Sequence, residues 1–116
     1  MLTRRFDGPD AVTSMADLML TMRDTPPAVL AGRPVTAVVD LARPDTGLPP
    51  TDAVILEVAG GRVVVRPSGT EPMVKVYVEA VAVVNGDLRD AERSATDGFE
   101  ALLTALSAWL DDKVDR

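Results

Sequence analysis

The residues equipped for chemistry fall in one segment, Arg66-Pro67-Ser68-Gly69-Thr70-Glu71-Pro72. Arg66 offers a planar guanidinium fork suited to phosphate. Ser68 and Thr70 offer hydroxyl donors, and Gly69 lets the backbone come close and turn, so that successive N–H groups can converge on an anion. Pro67 and Pro72 stiffen both ends and lower the cost of ordering the loop around a ligand. These are the parts of an oxyanion site. They are equally the parts of a hairpin turn whose Ser and Thr satisfy their own backbone, and spacing alone leaves both readings open. A Walker-type Gly-x-x-x-x-Gly-Lys loop is absent. The chain has no His and no Cys, which excludes the usual general base at neutral pH, a thiol nucleophile, disulfides and the common zinc ligands. No base stands near Ser68 in sequence, so no catalytic residue is assigned. The paired acids Asp111-Asp112 read as solvated side chains of a helix, and no metal site is assigned. Arg43 and Asp45 read as ordinary loop residues.

This segment needs strands on both sides to hold it. Ala53 to Ala59 and Arg62 to Arg66 are apolar runs separated by Gly60-Gly61, a hairpin signal because both glycines can take positive φ. Met73 to Val84 alternates Val74, Val76, Val78 and Ala80 with Lys75, Tyr77 and Glu79, so the two sets point to opposite faces of a sheet. Pro34 to Leu41 is β-branched and strand-like, and 42–52 is a loop. Residues 2–6 read as a short extended segment. Val12, Met15, Leu18, Met19 and Met22 recur at helical spacing, predicting a helix over 9–23 that Pro26-Pro27 ends. A second helix is expected over 87–112, capped by Asp87. Leu88, Ala91, Ala95, Phe99, Leu102, Leu103, Leu106, Trp109 and Leu110 form its apolar stripe. Gly98 costs this helix roughly 1 kcal/mol. Strands joined by short turns require an antiparallel sheet, and two amphipathic helices must cover one face. The expected fold is therefore α+β, with four main antiparallel strands (β-α-β4-α), a short fifth strand at 2–6, and both helices on one face. Val76 and Leu102 are expected in the core.

Composition sets the outer limits. The 116 residues make one domain, 1–116, on the length prior, and 47% of them are hydrophobic, which suffices for one core. The net charge of −6 repels a nucleic-acid backbone, and the densest basic cluster is only Arg4-Arg5. No stretch free of charge approaches the roughly 20 apolar residues of a membrane span, and the start lacks a secretory pattern. A cytoplasmic protein with neither nucleic-acid nor membrane partners is expected. Arg outnumbers Lys ten to two, with one Ile and one Asn, a bias that points to a GC-rich bacterial gene.

The run Arg66 to Pro72, flanked by Val63-Val64-Val65 and by Lys75-Val76-Tyr77-Val78-Glu79, resembles the signature of the C-terminal, fourth domain of the α-D-phosphohexomutases, the phosphoglucomutase and phosphomannomutase enzymes. The resemblance implies a TATA-box-binding-protein-like fold, which is no argument for DNA binding. It implies that Arg66, Ser68, Gly69 and Thr70 hold a substrate phosphate. Glu71 carries over with a supporting role, expected to steady Arg66, Lys75 or a loop N–H; Lys75 reads equally as added charge at the site and as a solvated strand lysine. The parent enzymes move phosphate between O1 and O6 of a hexose through a bisphosphate intermediate. Their phosphoserine, magnesium loop and sugar-recognition loop lie in three other domains and have no counterpart in this sequence. The chain is thus expected to be a detached fourth domain that clamps the phosphate not being transferred and is inactive alone. Its expected partners are a phosphosugar and those three domains, with no cofactor of its own. The alternative is a non-catalytic interaction module that retains the fold. The identity of the sugar (glucose, mannose or an amino sugar) stays open.

Overall fold

The computed structural model describes residues 2–43, 50–80 and 86–114. The elements are β1 (Leu2–Arg5), α1 (Ala11–Asp24), β2 (Val29–Leu30), β3 (Arg33–Asp40), β4 (Val54–Val58), β5 (Gly61–Pro67), β6 (Met73–Ala80) and α2 (Leu88–Val114). The strands form one antiparallel sheet in the order β1-β6-β5-β4-β3-β2. The class is α+β as expected, but the sheet has six strands rather than four with a fifth. The segment at 2–6 supplies β1 on one edge. The unforeseen strand is β2, two residues long on the other edge, joined to β3 through Ala31 (φ 53°) and Gly32 (φ 73°). The expected continuation of β6 to Val84, and loop residue Asp45, lie outside the described residues.

Register places the core on one face. Val54 pairs with Val65 and Leu56 with Val63 across β4–β5, and Val65 pairs with Val76 across β5–β6. All of these side chains are fully buried. They join Leu18, Met19 and Met22 of α1 and Leu102, Leu106 and Leu110 of α2 in a single cluster, so both helices cover the same face. Burying each such side chain contributes about 1.5–3 kcal/mol. Lys75, Tyr77 and Glu79 alternate to the helix-free face.

Two expectations are corrected by packing. Val12 is 68% exposed, and Ala11 takes the buried position at the start of α1. The stripe runs 11, 15, 18, 22, one residue out of phase with the larger side chain. At the β4–β5 hairpin, Val58 pairs with Gly61, so the two-residue turn is Ala59-Gly60 and only Gly60 has positive φ, at 77°. Gly61 is already in the strand. Its glycine is required by crowding, because a Cβ there would lie 2.5 Å from the Glu79 carbonyl oxygen. In α2, Asp87 accepts the Arg89 N–H at 2.8 Å, as its capping role requires.

Candidate functional site

β5 and β6 present the loop. Arg66 stands opposite Lys75, and Pro67 opposite Val74. The connection is then closed by the Ser68 N–H donating to the Met73 carbonyl at 2.8 Å. Val65 and Val76 point into the core, so Arg66 and Lys75 point to the helix-free face, side by side. Thr3 of β1 pairs with Lys75 and extends the row.

Inside the loop the Ser68 hydroxyl is the hub. Its Oγ accepts the N–H of Thr70 at 3.3 Å and that of Glu71 at 3.4 Å, and lies 3.4 Å from Thr70 Oγ1. These are long, weak contacts. They fit the plain-turn reading in which Ser and Thr satisfy their own backbone, and they also gather two N–H groups and two hydroxyls at one place. With two N–H groups on the Ser68 oxygen, its own proton is the one placed to meet Thr70 Oγ1, which leaves the Thr70 proton to donate outward. Ser68 is half-buried, while Arg66, Gly69 and Thr70 are exposed.

Gly69 has no positive φ, and a Cβ added there would meet nothing within 4 Å. The folded chain alone therefore has no need of glycine at this position. Room for the backbone to be approached from outside is what the glycine leaves.

Charge pairing bears on the same place. Arg4 pairs with Asp111, Arg5 with Glu71, Arg23 with Asp40 and Asp52, Arg62 with Glu79, Arg93 with Asp90 and Lys113 with Asp112. Among the described residues Arg66 and Lys75 have no such partner, nor have Arg33 and Arg89, but only Arg66 and Lys75 stand directly opposite each other on paired strands. Like charges directly opposite on a sheet repel, so the strand pair carries a local cost that an anion would offset.

Glu71 does not support Arg66, Lys75 or a loop N–H through its side chain, as the sequence reading expected. Its carboxylate meets Arg5 of β1 at 2.8 Å. Sequence reasoning missed Arg5. The residue was visible as half of the Arg4-Arg5 pair, but only the β1–β6 register brings it to the loop.

Resolved titration shifts lie elsewhere. Burial disfavours the Asp40 carboxylate, but the Ala42 N–H and the Arg23 guanidinium outweigh it and hold the group below its ordinary value. Burial likewise opposes the charge on Arg23, and Asp52 and Asp40 outweigh it and raise its pKa. This trio ties the end of α1 to β3 and to the strand-ward end of the 42–52 loop. A hollow of about 430 Å³ lies at the β4–β5 turn, lined by Glu57, Val58, Gly60, Gly61, Arg62 and Glu79. That is the opposite end of β5 from Arg66, and none of the Arg66–Pro72 loop lines it. Among the described residues no three His, Cys, Asp or Glu side chains gather into a metal-holding group. No described helix is long and apolar enough to cross a membrane.

Comparison with known proteins gives this loop its context. The family model for the phosphoglucomutase/phosphomannomutase C-terminal domain matches residues 28–94, more than half of the chain and the whole of the Arg66–Pro72 loop. The chain belongs to this family, as a C-terminal domain. A probable phosphomannomutase of Haemophilus influenzae (strain ATCC 51907 / DSM 11121 / KW20 / Rd) is 35% identical over 83 residues, 71% of this chain and 16% of that protein. The chain thus aligns with a small part of a much longer phosphohexomutase relative. The matched region leaves out β1, α1 and most of α2. Those elements nonetheless share one core with the matched region, since α1 and α2 supply seven of the sixteen residues of the core cluster and β1 pairs with β6.

Proposed function

We propose that this chain is the phosphate-holding domain of a phosphohexomutase, and that Arg66, Ser68, Gly69 and Thr70, with Lys75, bind a phosphate of a hexose phosphate. The observation that carries the reading is the unneutralised Arg66–Lys75 pair in direct register, next to a loop that brings an exposed and a half-buried hydroxyl together, with exposed Gly69 between them. A phosphate dianion at this place removes the repulsion between the two cations. It accepts from the Arg66 fork, from the Ser68 and Thr70 hydroxyls as they turn to it, and from the Gly69 N–H.

In the parent enzyme this domain would hold the phosphate that is not being transferred, orient the sugar and help close the cleft, which is catalysis by positioning. The phosphoryl exchange between O1 and O6 would use a phosphoserine and magnesium in other domains. In this reading the part of this chain is confined to binding and orientation. The binding groups are general for a phosphate ester and do not choose among glucose, mannose and amino sugars.

The chain alone is expected to bind weakly. Each charge-assisted hydrogen bond contributes about 1.5–3 kcal/mol, against a loss of ligand freedom of at least about 4 kcal/mol. A site open to water weakens every electrostatic contact, and a Kd on the order of millimolar follows, about 4 kcal/mol. The test is a titration with glucose 1-phosphate followed by backbone amide NMR. Shifts confined to 66–75, abolished by Arg66→Ala and retained in Lys113→Ala on α2, support the clamp. An absence of shifts favours the non-catalytic module. Interconversion of glucose 1-phosphate and glucose 6-phosphate by the purified chain, with magnesium and bisphosphate activator supplied, is expected to be undetectable. Turnover surviving Ser68→Ala and removal of host mutase would overturn that.

A further inference from the structure

Arg5 stands at the end of β1, beside the point where β6 leaves the loop, and its Nη2 lies 2.8 Å from Glu71 Oε2. We propose that Arg5 is a positioning residue of the phosphate loop, one that keeps the loop's own carboxylate out of the anion site. The proposal rests on the reading that the loop binds phosphate.

Glu71 is the one carboxylate within the Arg66–Pro72 loop. A carboxylate is itself an oxyanion that an arginine fork accepts bidentately. Arg66 and Lys75 have no partner among the described residues, so a Glu71 left to itself would be a competitor, built into the loop, for the two cations a phosphate needs. It would also repel an incoming dianion. Arg5 meets both problems, because it neutralises Glu71 and directs it toward β1.

The backbone supports this arrangement. The Phe6 N–H donates to the Pro72 carbonyl at 2.8 Å, and Arg5 pairs with Met73 in the β1–β6 ladder. The residue holding Glu71 is thus fixed to the strand that leaves the loop, while buried Phe6 anchors the same junction.

Stability does not explain the pair. Its side chains are 61% and 49% exposed, and ion pairs so exposed contribute little to folding. A pair that adds little to the fold, yet covers the only anion in an anion-binding loop, is accounted for by the ligand.

Four proteins test this: the full chain with Arg5→Gln, with Glu71→Gln, with both, and with Arg5→Lys. The probe is inorganic phosphate at low salt, followed by the amide shifts of 66–75, with urea unfolding of each variant to show that all are folded. Arg5→Gln is expected to weaken phosphate binding about three- to tenfold, the size of one partly screened unit charge. Glu71→Gln is expected to tighten it. In the Glu71→Gln background, the added Arg5→Gln change is expected to cost clearly less than in the parent, a coupling that a double-mutant cycle reads directly. Arg5→Lys is expected to restore most of the affinity. An equal loss in both backgrounds would make Arg5 a direct phosphate ligand and overturn the proposal, as would no loss in either. An absence of shifts in the parent chain is a different result, and it overturns the phosphate reading itself.

Discussion

Arg66 and Lys75 face each other across β5 and β6 in direct register, on the face of the sheet that no helix covers. Two cations so placed raise the free energy of the fold and concentrate positive potential beside an exposed hydroxyl-bearing loop. Residues kept for stability and residues kept for a ligand are expected to respond to mutation with opposite signs.

Arg66→Ala and Lys75→Ala are therefore expected to leave stability unchanged or to raise it, by about 0.2–1 kcal/mol at low ionic strength, while each weakens phosphate binding. Arg66→Ala is expected to have the larger effect on binding, because it also removes a bidentate fork. Urea unfolding and phosphate titration of the same samples check the two signs. A loss of stability together with unchanged binding would make the pair structural.

Gly69 separates the fold from the ligand in another way. It has no positive φ, and an added methyl group would enter open space. Gly69→Ala is thus expected to be neutral or to stabilise the chain by about 0.4–1 kcal/mol through the unfolded state. The same methyl would stand where a phosphate approaches the backbone. Phosphate affinity is expected to fall several-fold, without any change in the amide shifts of β4 or α2.

The parts of this molecule legible in the sequence are those with local causes. The Val alternation of β6 and the stripe of α2 follow from periodicity, except that Leu88, expected to begin the stripe, is exposed at the start of the helix, and the Asp87 cap follows from residue type. The loop stands out through its own composition. What was not legible depends on distant partners or on weak local signals. β2 is two residues long, and its turn sets Ala31 at φ 53°, a conformation for which Ala gives no warning. Gly98 looks, in the sequence, only like a cost to α2. A Cβ there would meet Arg33 Nη2 at 3.1 Å, and Arg33 Nη1 donates to the Ala59 carbonyl at 3.0 Å. The space that Gly98 leaves is taken by the Arg33 guanidinium on its way to the β4–β5 turn. The Arg5–Glu71 contact needs the β1–β6 register, which no short-range pattern contains.

Gly61 is expected to be the least replaceable glycine of the β4–β5 hairpin. The crowding atom for a Cβ is the Glu79 carbonyl oxygen at 2.5 Å, with Leu102 Cδ1 at 3.2 Å. The first is backbone in a neighbouring strand and cannot turn aside. Gly61→Ala should force β5 and β6 apart beside the core and cost about 1–3 kcal/mol, as overpacking does. Gly60→Ala meets the separate penalty of a left-handed backbone, about 1–2 kcal/mol. Thermal unfolding of both variants measures these costs, and a neutral Gly61→Ala would contradict the strand register at the hairpin.

The Arg23–Asp40–Asp52 trio predicts a pH dependence far from the loop. The Asp40 carboxyl is held below its ordinary value in the folded chain, because the Ala42 N–H and Arg23 favour its charged form more than burial disfavours it. A group depressed on folding binds fewer protons when folded than when unfolded, so stability rises with pH wherever the unfolded group is still protonated. Its contribution is complete above the unfolded value of about 3.9, and it is lost as pH falls through that value toward the lower folded one. Asp40→Asn removes this titration while leaving a side chain of the same shape. The difference in melting temperature between the parent chain and Asp40→Asn is expected to be constant from about pH 8 down to about pH 5 and to shrink below about pH 4. Phosphate binding at the far loop should not distinguish the two at neutral pH. A gap that persists unchanged into acid would mean that Asp40 acts through shape and hydrogen bonding rather than through its charge.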